Sequence, residues 1–167
     1  VVVAAQHALQ AHGLSRVAVI DFDVHHGNGT EDCLKNNPQA LMVGMFQHPF
    51  YPYSGTECTA PNIHNAPMPG GTTGEDFRQL VSDVWLPQLR KFKPEMLFIS
   101  AGFDAHYEDD LGGMRLFEKD YAWVTEQIMK VAAESAERRV VSVLEGGYVL
   151  SSLARSVTAH LKVLAGI

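Results

Sequence analysis

Four short apolar runs punctuate the chain, at Val17–Ile20, Leu41–Phe46, Met96–Ile99 and Val140–Leu144. They are continuous rather than alternating and rich in β-branched or aromatic residues, the pattern of strands buried on both faces. Helical periodicity fills the stretches before, between and after them, over Ala4–His12, Asp76–Phe92, Phe117–Arg139 and Ser151–Leu164. In the third of these, Phe117, Tyr121, Val124, Ile128 and Val131 recur at steps of three or four and form one apolar stripe. Its tail, Arg138-Arg139, sets positive charge where a helix dipole favours it. Strand alternating with helix predicts an α/β fold, a parallel sheet with helices on both faces, within one domain spanning residues 1–167. Four parallel strands enclose little core, so further strands are expected, upstream in a longer protein or from another chain. One segment breaks the rhythm. Gln47 to Thr73 holds five of the eight prolines with Gly55, Gly70 and Gly71. A loop of that length is usually functional or disordered, and Phe50, Tyr51 and Tyr53 favour an ordered loop that lines a site.

Composition adds a few exclusions. At 46% hydrophobic and 19% charged residues the chain has an ordinary globular balance. A net charge of −6 leaves no basic footprint for direct nucleic-acid binding. It suits a cationic substrate, such as a lysine-rich tail or a polyamine. No apolar run reaches the length of a membrane span. Cys33 and Cys58 lack metal-ligand spacing and are too sparse for a disulfide scaffold, which favours a reducing, cytoplasmic setting. The chain opens Val1-Val2-Val3 with no initiator Met, so it is expected to be a piece of something longer.

The chemistry gathers at strand ends. Directly after the first run comes Asp21-Phe-Asp-Val-His-His-Gly-Asn-Gly. In an extended chain Asp21, Asp23 and His25 share one face. Two carboxylates and an imidazole converging there would be costly without a cation to neutralise them. The plainer alternative is a solvated loop with a capping Asp. The third run ends in Ser100-Ala-Gly-Phe-Asp104-Ala-His106, where Gly102 permits close backbone approach and Asp104 alone could be a turn residue. The fourth ends in Leu144-Glu-Gly-Gly-Tyr148, whose phenol alone could simply pack over the sheet. Ligands of open parallel sheets sit outside the carboxyl ends of the strands. Three strands of one sheet ending in reactive groups make coincidence a poor explanation.

One histidine and two carboxylates are three protein ligands, the number that leaves a catalytic metal an open position. The donor set suits Zn²⁺ and does not exclude Fe²⁺ or Mn²⁺. Such an ion lowers the pKa of water and polarises a carbonyl, and a phenol beside it can donate to a tetrahedral oxyanion. These are parts for amide hydrolysis. A general base is missing. His26 and His106 are the nearby candidates, and spacing places neither well.

Taken together, D-F-D-V-H-H-G-N-G, H-P-F-Y-P-Y-S-G, S-A-G-F-D-A-H and L-E-G-G-Y resemble the histone deacetylase family, including its bacterial acetylpolyamine and acetoin-utilisation-type members. The four occur in the family's order across essentially the whole chain. The resemblance implies an arginase/deacetylase-type α/β fold with its N-terminal part missing. It implies Zn²⁺ on Asp23, His25 and Asp104, with Tyr148 as the catalytic phenol that stabilises the oxyanion. Asp21 matches a position that helps bind a structural monovalent cation, usually K⁺. Tyr51 matches an aromatic wall of the acyl-lysine tunnel; Gly102 and Leu111 fall at substrate-binding positions, and His26 lies behind the ligands. The implied substrate is an acylated lysine or a small acyl amide.

Three departures qualify that picture. The family's tandem histidine pair, which supplies the base, falls before Val1 on counting back, so the 167 residues alone are expected to be nearly inactive. Gly44 stands where a serine would contribute to the monovalent-cation site. Leu111 stands where polyamine-selective members carry a glutamate, which points to an acyl-lysine rather than a polyamine. Two other readings remain open at this stage: an arginase-type ureohydrolase with two Mn²⁺, and a non-catalytic interaction module of the same fold.

Overall fold

The structure is a computed structural model describing residues 1–167. At its centre is one all-parallel sheet of β1 Val17–Asp21, β2 Ala40–Gln47, β3 Ile63–Met68, β4 Met96–Ala101 and β5 Val140–Leu144, in the spatial order β3-β2-β1-β4-β5. The connecting helices are α1 Val2–Ala11, α2 Asn28–Leu34, α3 Gly74–Leu80, α4 Leu86–Phe92, α5 Glu118–Ser135 and α6 Leu150–Ala165. A π-helical turn, Val81–Trp85, joins α3 to α4 just ahead of Pro87, whose ring cannot give an N–H to the preceding turn.

Alternate residues of each strand face opposite layers, and helices cover both faces, as the pattern predicts. Val17, Val19, Met42 and Phe98 point to a thin layer under α1 and α2, with Ala5, Ala8 and Leu34. Ala18, Ile20, Val43, Leu97 and Ile99 point to a thicker one, packed by Phe77, Trp85, Leu89, Tyr121, Val124 and Ile128 from α3 to α5. The stripe read along α5 is thus its buried face, with Phe117 just outside it and exposed.

Three expectations need correcting. There are five strands, because β3 lies inside the segment read as one long loop. Its sequence, Ile-His-Asn-Ala-Pro-Met, is only partly buried at a sheet edge, where Pro67 costs no ladder bond. The short α2 carries a single buried residue, Leu34, so no periodicity announced it. The helix ending at Arg139 stops at Ser135 instead. Arg138 sits beyond it at φ 61, while Arg139 donates to the carbonyls of Glu95 and Ala136.

The strand order reverses between β1 and β4: β2 and β3 lie on one side of that pair and β5 on the other. Asp21 pairs with Ser100, and Ala101 with Leu144, so the segments leaving β1, β4 and β5 emerge side by side at the carboxyl edge. That crevice is where open α/β sheets bind ligands.

Candidate active site

Asp21 closes β1, and the chain then folds back on its own carboxylates. The Asp23 N–H donates to Asp21 Oδ1 at 3.1 Å, and the His25 N–H donates to Asp23 Oδ1 at 2.8 Å. The Val24 N–H between them donates to Asp104 Oδ1 at 2.9 Å, which ties the segment after β1 to the one after β4. From the end of β5, the Gly146 N–H donates to Asp23 Oδ2 at 2.8 Å. Main-chain amides therefore fix both carboxylates before any ligand arrives.

The result is a compact donor set. His25 Nδ1 lies 2.9 Å from Asp23 Oδ1 and 3.1 Å from Asp104 Oδ2. The one N–H that Nδ1 can carry goes to Asp23, and Asp104 Oδ2, fully buried, is left without a hydrogen bond. One ligand atom from each of the three residues lies within 4.8 Å of the others, and no second cluster of this kind is present. Ligands held at zinc distances in a tetrahedron sit about 3.3 Å apart, close to the separations seen here. The residues fit a divalent ion.

The electrostatics make the same demand. The Asp104 and Asp23 carboxylates raise the His25 imidazole to about 10. Burial pushes the Asp104 carboxyl up. Burial works the same way on Asp23, but hydrogen bonds from the His25 ring, its amide and the Gly146 amide outweigh it and hold that carboxyl down. Asp21 is fully enclosed, and burial followed by the Asp23 charge pushes it well above the usual carboxylate range. Asp21, Asp23, Ser100 and Glu145 line a cavity of about 200 Å³ together with His25 and His26, with three carboxylates and no Lys or Arg among its walls.

Two glycines create the clearance. A Cβ on Gly146 would collide with Asp104 Oδ2, and one on Gly102 would collide with Asp23 Oδ2. Gly102 is buried beneath Asp23, where its missing Cβ makes room for that carboxylate, the close backbone approach expected of it.

The other expected residues distribute as follows. Tyr148 follows Gly147, whose φ of 138° suits only glycine, and its ring is 55% exposed. Burial, then the Asp104 and Asp23 charges, raises its phenol, so it stays a donor at neutral pH. Tyr51 is exposed and meets the His25 ring edge-on at 6.2 Å, whereas Phe50 stacks on that ring at 5.4 Å and 26°. Leu111 is exposed on the loop after Asp104. His26 lines the same cavity as Asp23 and His25, but its ring bonds elsewhere: its Nδ1 faces Ser54 Oγ at 2.8 Å and its Nε2 faces Glu31 at 2.9 Å. His106 is buried, takes the Glu108 N–H on Nδ1 and turns Nε2 towards Glu118 at 3.5 Å.

Phe50 was read from the sequence only as one of three aromatics of an ordered loop, without a partner, and it is the one that stacks on His25. Sequence reasoning missed Glu145, which stands inside a motif that it did name, and Asp109. Asp109 had no signal beyond lying in an acidic turn.

The histone deacetylase domain is matched over residues 1–164. An uncharacterised Synechocystis protein is 40% identical over 98% of this chain and 53% of its own length. Histone deacetylase 14, chloroplastic, of Arabidopsis thaliana is 37% identical over 99% of this chain and 41% of its own length. Among solved structures, the HDA15 HD domain superposes with a TM-score of 0.86 at 34% identity, covering 98% of this chain and 49% of that one. The chain thus spans about half the length, or less, of the proteins it matches.

Proposed function

Because this chain belongs to the histone deacetylase family, we propose that its protein hydrolyses acyl amides of the acetyl-lysine type, with a divalent ion, Zn²⁺ in the first instance and Fe²⁺ as the alternative, held by Asp23, His25 and Asp104. The observation that carries this reading is Asp104 Oδ2, buried without a hydrogen bond and aimed at His25 Nδ1 beside Asp23. A buried and a mostly buried carboxylate placed around one imidazole favour added positive charge. When bound, the ion supplies Lewis acidity towards an acyl carbonyl and towards water.

The remaining chemistry belongs to the chain. The Tyr148 phenol, protonated at neutral pH, donates to the oxygen that becomes the oxyanion. Phe50 and Tyr51 flank the His25 ring and give an apolar acyl-lysine chain two aromatic walls. Leu111 offers the rim no charge for a second ammonium, which favours an acyl-lysine over a polyamine. Asp21, buried with its carboxylate facing the cavity, is the proposed contact of a structural K⁺. The His26 ring is held by Ser54 and Glu31, and His106 is buried with its Nε2 turned towards Glu118, so the base that takes the proton from water is assigned to a residue outside this chain. The 167 residues alone then bind metal but turn over very slowly.

The test is hydrolysis of a fluorogenic acetyl-lysine substrate by the full-length protein, alongside Tyr148→Phe and chelator-treated samples. The expected result is a loss of about 10² to 10³ in kcat for Tyr148→Phe and abolition by chelator. Undiminished activity in either sample sinks the proposal, and inactivity of the intact protein on every acyl amide would favour a binding module.

A further inference from the structure

We propose that Asp109 is the positioning residue that sets Tyr148 and Leu111 at the mouth of the site, by accepting the main-chain N–H of each on one buried carboxylate. The inference rests on the deacylase reading above.

Asp109 is 3% exposed. Its Oδ2 accepts the Tyr148 N–H at 2.7 Å and the Val149 N–H at 3.3 Å, and its Oδ1 accepts the Leu111 N–H at 3.0 Å. A carboxylate enclosed with three amide donors is held rigidly and holds them in return. Its own amide donates to the His106 carbonyl at 2.9 Å, so the whole assembly hangs on the segment that also carries Asp104.

The Tyr148 side chain has no such support. Its ring is more than half exposed and its hydroxyl makes no hydrogen bond in the chain. Orientation of the phenol therefore comes from its backbone. The turn before it is fixed up to Gly146: the Glu145 N–H donates to the Ala101 carbonyl at 3.0 Å, the Phe103 N–H to the Gly146 carbonyl at 2.7 Å, and the Gly146 N–H to Asp23. Gly147 then interrupts, free to rotate as only glycine is. Asp109 takes hold on the far side of that swivel.

A plain helix cap would look different. The capping side chain bonds the second or third amide inside the helix, whereas the amides of Tyr148 and Val149 both precede α6, which starts at Leu150. The carboxylate grips the residue that carries the phenol, not the helix behind it. Its other oxygen turns the chain at Leu111, so one group spaces the apolar rim from the oxyanion donor.

The experiment compares the full-length, metal-loaded protein with Asp109→Ala, Tyr148→Phe and the double variant, and measures amide exchange in each without metal. Displacing a reacting group by about 1 Å costs up to about 10²-fold, so Asp109→Ala should lower kcat by between about 10- and 100-fold, a larger factor than any change in KM. The double variant should be no slower than Tyr148→Phe, because a misdirected phenol and an absent one lose the same interaction. Exchange at Leu111, Tyr148 and Val149 should quicken while β1 and β4 stay protected. Wild-type kcat in Asp109→Ala, losses that multiply in the double variant, or unchanged exchange overturns the proposal. If Tyr148→Phe is itself fully active, the deacylase reading falls, and exchange alone still decides whether Asp109 holds the segment. Should Asp109→Ala fail to fold, Asp109→Asn, which keeps one oxygen acceptor, carries the same cycle, and unchanged exchange at all three amides overturns the proposal there too.

Discussion

The main-chain N–H of Gly146 donates to Asp23 Oδ2 across 2.8 Å, joining the turn after β5 to a carboxylate that follows β1. These residues are 123 positions apart, and the parallel register of β1, β4 and β5 brings them together. The same glycine lies so close to Asp104 that a methyl group has no room. The EGGY turn is therefore a wall of the ligand cluster as well as the carrier of Tyr148.

Gly146→Ala should damage the metal site while leaving the sheet intact. Its Cβ would collide with Asp104 Oδ2 and press on Asp23 Oδ2 at 2.7 Å, so both ligands must move. Loss of a supporting contact to a ligand typically costs 10- to 100-fold in metal affinity, and a drop of at least about tenfold in Zn²⁺ affinity is expected, read by competition with a chromogenic chelator. Unaltered affinity would mean that the turn tolerates a side chain there.

His160 gives the fold a pH dependence on its acid side. Its ring lies buried on α6 between Thr125 Oγ1 at 2.7 Å and Ser142 Oγ at 2.9 Å, and burial lowers it to about 4 from an ordinary 6.5. Since the folded pKa is the lower one, the unfolded chain binds more protons between those values. The stability contribution is complete above about pH 6.5 and drains away as pH falls towards 4. Of the order of 2 kcal/mol should disappear between pH 7 and pH 5, measured by urea unfolding. His160→Gln should flatten that slope, and an equal slope in the variant would assign the loss to other groups.

Asn62 holds the start of β2 from below. Its Nδ2 donates to the carbonyls of Leu34, Asn37 and Ala40 at 2.8, 3.2 and 2.9 Å, and its Oδ1 accepts the Asn36 N–H at 2.9 Å. Removing one partner of a buried hydrogen bond leaves the other without compensation. Asn62→Ala should therefore cost about 3 kcal/mol, seen as a lower denaturant midpoint at unchanged metal affinity. A loss below about 1 kcal/mol would show that water replaces the amide.

Much of this was legible in the sequence, for definite reasons. The continuous runs around Val19, Val43 and Phe98 marked strands because burial on both faces leaves few polar positions, and the run around Val141 marked one by the same pattern although β5, at the sheet edge, is only partly buried. Asp23, His25, Asp104 and Tyr148 were legible because each follows such a run within a few residues. What stayed hidden depends on contacts between distant segments. β3 has too few apolar residues to declare itself, since an edge strand need not be buried. His26 looked like a companion of His25, but its ring nitrogens face Ser54 and Glu31 instead of the ligands. Asp109 is an ordinary acidic loop residue until Tyr148 and Leu111 are seen to converge on it.

Metal stoichiometry tests the central claim most directly. Equilibrium titration of the metal-free protein with Zn²⁺ should give one ion per chain, released by Asp104→Asn and by His25→Ala, because Asp23, His25 and Asp104 form the one ligand cluster in the chain. Two ions per chain, as an arginase-type ureohydrolase requires, or one ion held undiminished after Asp104→Asn, would contradict it.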